Sequence, residues 1–213
     1  MKKYLAEVIG TFVLMFAGTG AIIINQEANG VIGHLGICIT WGIIVSGIIY
    51  TFGSTSGAHL NPAVTLTFWM VKLFKGKDVI PYILSQAIGA FAAILILKYL
   101  FPANEMLGGT QPKGTNMQSF ILEIILGFIL MIVILFTSQG SKETGILAGL
   151  AIGGVILIEC IFAGPISGAS MNPTRSLVPA IVSGHIENLW IYLTAPIIGM
   201  FSAGIVWSLM KEK

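Results

Sequence analysis

Six apolar runs set the pattern of this chain: 4–25, 33–53, 80–101, 118–138, 146–164 and 188–209. Each is close to the ~20 mostly apolar residues that a helix needs to cross a bilayer. The runs are rich in Ile, Leu, Phe and Ala, with interior glycines, and show no period-2 alternation. A β-barrel would carry that alternation. In lipid the backbone must bond internally, so the pattern predicts six transmembrane helices.

Composition sharpens the picture. Hydrophobic residues make up 55% of the 213 positions and charged residues only 9%, against ~25% charged in an ordinary soluble domain. A cytosolic globular enzyme is therefore excluded. The net charge of +2 offers no basic stripe for nucleic acid. Cys38 and Cys160 both sit in apolar runs and are read as forming neither a secreted disulfide framework nor a metal cluster. No metal site, cofactor or catalytic set is expected.

Met1-Lys2-Lys3, an apolar run and then Ala17-Gly18-Thr19-Gly20-Ala21 have the form of a signal peptide. Glu7 inside the run, and the return of the same pattern in mid-chain, favour a retained first span. With the N-terminus inside, Lys2, Lys3, Lys72, Lys75, Lys77, Lys142, Lys211 and Lys213 fall on the cytoplasmic side, and only Lys98 and Lys113 outside. That bias predicts cytoplasmic termini, and the short termini suggest a cell (inner) membrane.

The chain repeats itself. Ser56-Gly57-Ala58-His59-Leu60-Asn61-Pro62 matches Ser167-Gly168-Ala169-Ser170-Met171-Asn172-Pro173 at five of seven positions. Upstream, the segment around Glu7 resembles that around Glu123. A single membrane domain, 1–213, thus divides into repeats 1–103 and 118–213. Each repeat holds three spans, so the second starts on the opposite side from the first. An inverted repeat puts function at its interface, near the bilayer midplane.

Each Asn-Pro is followed by about ten moderately apolar residues, Ala63 to Leu73 and Thr174 to Val182, too few to cross. Asn is a favoured N-cap and Pro a favoured first helical residue. Two ordinary surface turns are the plain alternative, but two copies in apolar context favour re-entrant half-helices whose starts meet in the middle. Each start carries about half a positive charge, a barrier to cations and hydronium. With their oxygens used as caps, Asn61 and Asn172 are expected to turn amide NH₂ groups to the lumen.

Arg175, the one arginine in the chain, lies three residues past Asn172 on the same helix face. Buried at membrane depth it would be a functional cation; the alternative is a side chain that snorkels to the outer surface. Glu7 and Glu123 are read as acceptors for otherwise orphaned backbone N–H groups of the re-entrant loops, with a proton relay as the other reading. Glu159 has no repeat counterpart, leaving a polar partner or a subunit contact open. His59, near the inner mouth, is either pH-sensitive or simply hydrogen-bonded. Gly149/Gly153, Ser85/Gly89 and Gly42/Ser46 mark close helix packing.

The doubled Asn-Pro with its following arginine, Asn172-Pro173-Thr174-Arg175-Ser176, resembles the major intrinsic protein (aquaporin) family over nearly the whole chain. The resemblance implies an all-α fold of six tilted helices and two half-helices, one pore per subunit and a homotetramer. It implies a central constriction at Asn61, Pro62, Ala63, Asn172, Pro173 and Thr174, with Thr174 standing where alanine is usual and either narrowing the gap or packing beside it. It also implies lumen carbonyls at Gly57, Ala58, His59, Gly168 and Ser170. Counted from the motifs, the family's outer ring falls on Trp41, Cys160, Ala169 and Arg175. Small Cys160 and Ala169, with no His, are similar to the nodulin-like intrinsic proteins, as is the run from Ala163 to Met171. Leu193 after Tyr192 also leans toward solute-passing members, whereas Ser176 and Ala180 follow the water-channel pattern.

The function these features imply is a passive channel for water and small uncharged solutes, glycerol and metalloid hydroxides included, that excludes protons and ions. A strictly water-selective channel is the alternative. A secondary transporter, a junction protein of the same fold and an intramembrane enzyme rank lower, the last because no Ser/His, paired-Asp or nucleotide-loop arrangement is present.

Overall fold

The computed structural model describes residues 1–211; Lys213, counted above with the cytoplasmic lysines, lies outside them. The described residues form eight helices: α1 (Lys2–Glu27), α2 (Gly33–Ser56), α3 (Pro62–Met70), α4 (Gly76–Leu100), α5 (Asn116–Ser138), α6 (Lys142–Ser167), α7 (Pro173–Ser183) and α8 (Leu189–Met210). Six of them are apolar and run from 22 to 26 residues. At 1.5 Å per residue that is about 33–39 Å, enough to cross a ~30 Å hydrocarbon layer with tilt. The chain is a multi-pass integral membrane protein.

Helix ends depart from the hydropathy pattern where a cap decides them. α6 starts earlier, at Lys142, because the Ser141 hydroxyl accepts from the Thr144 amide. α2 and α6 run on past the apolar positions to Ser56 and Ser167. There Gly57 (φ 84°) and Gly168 (φ 85°) end them in the left-handed region, which costs glycine almost nothing. α3 and α7, with nine and eleven residues, are far too short to span.

Small residues let the long helices close on one another. A side chain at Gly42 would come 2.6 Å from the Gly153 carbonyl, holding α2 against α6. Gly89 meets the Val8 carbonyl on α1, and Gly199 meets the Ile124 carbonyl on α5 in the same way. α1 therefore seats on α4, and α5 on α8. The Ala17–Ala21 stretch belongs to this packing: Gly18 lies face to face with the Trp41 indole, where an added Cβ would sit 2.5 Å from the ring.

On the N-terminal side, Lys3 Nζ and the Tyr4 hydroxyl reach Asp78 at 2.7 Å each, tying the start of α1 to the start of α4. Nothing in the sequence pattern singled Asp78 out, although it is the chain's one aspartate.

Candidate functional site

The two half-helices meet tip to tip inside the bundle, and the bonding at their starts explains why. Asn61 Oδ1 accepts from the Ala63 amide (2.9 Å), and Asn172 Oδ1 from the Thr174 and Arg175 amides (3.0 and 3.4 Å). Both asparagines are true N-caps followed by proline at the first helical position. Their Nδ2 groups cross the junction: Asn61 donates to the Met171 carbonyl (2.8 Å) and Asn172 to the Leu60 carbonyl (2.9 Å). These bonds across the junction were not expected from the sequence. Each NH₂ has two hydrogens; one holds the opposite half, and both asparagines border the cavity.

The loops before these caps are bent alike. Ala58 and Ala169 have φ of 46° and 43°, and Leu60 and Met171 both 54°. Non-glycine residues hold this conformation at a cost of ~1–3 kcal/mol each, so something must over-determine it. Two buried carboxylates do. Glu7 Oε1 accepts from the Ser56 hydroxyl (2.7 Å) and the His59 amide (2.9 Å), and Oε2 from the Leu60 amide (2.8 Å) and Gln86 Nε2 (2.9 Å). Glu123 accepts from the Ser167 hydroxyl (2.7 Å) and the amides of Ser170 (2.8 Å) and Met171 (2.9 Å). The Tyr82 and Tyr192 hydroxyls donate to the carbonyls of Ser56 and Ser167. Loop N–H groups that would be orphaned are thereby paired.

A cavity of about 1220 Å³ runs past this junction, bounded near one end by Phe74 and Gln139 and near the other by Gln26 and Lys113. Asn61, Asn172 and Arg175 line it, as do Gly57, Ala58, His59, Gly168, Ala169 and Ser170. Pro62, Ala63, Pro173 and Thr174 do not. Thr174 is 2% exposed and turned into the packing, so of its two expected effects the narrowing of the gap is set aside.

Trp41, Cys160, Ala169 and Arg175 all border the cavity on one side of the asparagine junction. Arg175 is 4% exposed and does not snorkel. Its Nη1 donates to the Gly108 carbonyl (2.9 Å), and its guanidinium carbon lies 5.0 Å from the centre of the Trp41 ring. A cation over an aromatic face is attracted by the ring quadrupole. The tryptophan thus forms an apolar wall and helps hold the charge.

The structure corrects the reading of the cysteines as unbridged. Cys160 is bonded to Cys38 in a disulfide that joins α2 to α6, with Cα atoms 5.2 Å apart. Neither cysteine is left as a free thiol.

Sequence reasoning also missed the loop between α4 and α5. Gly108 (φ 64°) and the buried Leu107 (φ 48°) fold inward beside Thr19, presenting the Gly108 carbonyl to Arg175. The Thr110 hydroxyl donates to Ser176 (2.7 Å), which in turn bonds Ser170 (2.6 Å). The Gly108-Gly109 pair was the available signal of a tight turn. Glu159 is 2% exposed, so it is no contact between copies, and among the described residues neither of its carboxyl oxygens has a hydrogen-bond partner. Among the described residues no three His, Cys, Asp or Glu gather to hold a metal.

Two capped half-helices closing on each other inside six membrane-crossing helices, beside a continuous lined cavity, define a polytopic membrane channel. Residues 1–207 match the Major intrinsic protein family. Probable aquaporin NIP4-2 of Arabidopsis thaliana is 44% identical over 211 residues, covering 99% of this chain and 75% of the relative. Nodulin-26 of Glycine max is 40% identical over 212 residues, covering 99% and 78%. The X-ray structure of the aquaglyceroporin from Plasmodium falciparum superposes with a TM-score of 0.86 at 26% identity, over 98% of this chain and 96% of that one. The chain belongs to the major intrinsic protein family. It is a passive channel for water and small solutes and not an enzyme.

Proposed function

We infer that the channel passes water and small uncharged solutes, glycerol and metalloid hydroxides among them, and excludes protons and ions. The observation that carries this reading is the pairing of Arg175 with Trp41 in a ring whose other members are small. The indole wall suits the CH face of a polyol, while Arg175 and the spare asparagine hydrogens donate to its hydroxyls. A bare cation meets a fixed guanidinium and two positive helix ends, none of which replaces its hydration. Ser176 and Ala180 favour a second reading, a strictly water-selective pore.

The channel is read as a single unit with inverted repeats 1–103 and 118–213, with cytoplasmic termini in the cell (inner) membrane, working as a homotetramer with one pore per subunit. Light scattering on proteoliposomes tests the solute range. Water and glycerol permeabilities above those of empty liposomes are expected. Glycerol permeability at the empty-liposome level, with water raised, would select the water-only reading, and both at that level would reject the channel. Crosslinking in native membranes reads the tetramer.

A further inference from the structure

The Cys38–Cys160 pair sits in the filter, and its two sulfurs are unequally placed. Cys160 is 7% exposed and lines the cavity; Cys38 is fully buried behind it and does not. His34, one turn before Cys38 on α2, stands exposed at the mouth with its ring nitrogens 3.6 and 3.9 Å from the Cys38 sulfur. The 3.9 Å nitrogen is Nδ1; Nε2 lies 2.9 Å from the Ile161 carbonyl. With Nε2–H donating to that carbonyl, Nδ1 is free to take and return a proton. Gly164 leaves the space in which His34 and Cys160 approach: a side chain there would meet His34 at 2.8 Å and the Cys160 sulfur at 3.8 Å.

We propose that Cys38 and Cys160 form a thiol–disulfide exchange site, open to small dithiols through the pore, and that Cys38 is a specificity-determining residue because its bond sets where the Cys160 sulfur sits. One thiol of a dithiol reductant gives its proton to His34 Nδ1, and the resulting thiolate attacks the Cys160 sulfur from the lumen. The Cys38–Cys160 bond breaks, and Cys38 leaves as a thiolate that takes the proton back from His34. The second thiol of the reductant then attacks the mixed disulfide, its proton passing to Cys160. The products are two protein thiols and the cyclic disulfide of the reductant, so electrons and protons balance.

The consequence is steric. Bonded sulfurs sit well inside van der Waals contact, whereas unbonded heavy atoms settle at ~3.5–4.0 Å. Cys38 is packed on all sides, so the room for separation is on the lumen side. Reduction pushes the Cys160 thiol into the lumen and narrows the ring. Water tolerates that better than a three-carbon polyol does.

The inference rests on the channel reading, and the test separates the two. The purified full chain in proteoliposomes is treated with dithiothreitol and then reoxidised with diamide. Maleimide labelling after acid quenching and denaturation, read by mass spectrometry, should count no free thiol before reduction, two after it, and none after reoxidation. Glycerol flux should fall at least threefold on reduction and recover, with water flux falling less. Cys38→Ala and Cys160→Ala should each lose all response to dithiothreitol. Free thiols before reduction, a disulfide that resists dithiothreitol in the folded protein, or full conversion with glycerol flux unchanged or increased would each overturn the proposal. So would a Cys38→Ala channel that still responds. Flux indistinguishable from empty liposomes in both redox forms would reject the channel itself, and this filter role with it.

Discussion

Glu7 and Glu123 hold equivalent loops, but what surrounds them differs. The first carboxylate accepts four donors, the fourth from Gln86, whose own Oε1 is unpartnered among the described residues. The second accepts three, and at the position matching Gln86 stands Pro196, which offers no donor. Beyond the carboxylates, His59 in the first half is caged by Phe68, Phe74 and Tyr82 at ring-centre distances of 4.9, 4.8 and 5.1 Å. Its counterpart Ser170 belongs to a chain of hydroxyls ending at Thr110, next to the chain's one arginine. One skeleton thus carries an aromatic cage on one side and, on the other, a buried arginine beside a chain of hydroxyls of which Ser170 borders the cavity. The Glu-anchored loops are shared architecture; the side chains hung from them differ between the halves.

The sharpest way to break this comparison is Glu123→Ala against Glu7→Ala. Removing Glu123 orphans three buried donors at ~1–3 kcal/mol each, and Pro196 has no side-chain oxygen to take one. In Glu7→Ala, Gln86 can turn its free oxygen to one loop N–H. Glu123→Ala should therefore lower the thermal midpoint in detergent more than Glu7→Ala, and equal losses would mean Gln86 gives no relief. Arg175→Ala comes next. At ~5 Å and an effective dielectric of ~20, the guanidinium opposes a cation by on the order of 3 kcal/mol. Cation leak in proteoliposomes should rise about a hundredfold, and an unchanged leak would assign the barrier to the helix ends alone.

Gly18→Ala forces the Trp41 indole to move, an overpacking cost of ~1–3 kcal/mol. A lower midpoint and an altered glycerol-to-water flux ratio are expected together. The smallest effect on flux belongs to His59→Ser, which gives the first half the residue of the second. Three aromatic contacts are lost, each worth ~0.5–1.5 kcal/mol, so the midpoint should fall about as far as in Gly18→Ala. Water flux should change less than about twofold; a large change would place part of the solute selection on this side.

Much of the fold was readable along the chain. Crossing helices announce themselves through composition, because lipid demands a continuous apolar stretch. Asn61 and Asn172 were legible as caps because the signal is local, a side-chain oxygen meeting an amide two residues on. The same locality explains the errors. The reading of the asparagine amides left out their partners across the junction, Met171 and Leu60, which lie 110 and 112 positions away. For Thr174 the motif left narrowing and packing open, and its burial, which depends on the tertiary packing of α7, favours packing.

The order of spans, the doubled capping motif and the paired glutamates follow from the residues themselves, since each depends on neighbours within a few positions or on the bilayer as solvent. The Cys38–Cys160 bond spans 122 positions, and the grip of Gly108 on Arg175 spans 67. Those were decided only when α2 settled on α6 and the loop after α4 folded inward. Glycines set how closely backbones approach, and that approach chooses which distant side chains meet; a register shift of one residue in either helix would choose others.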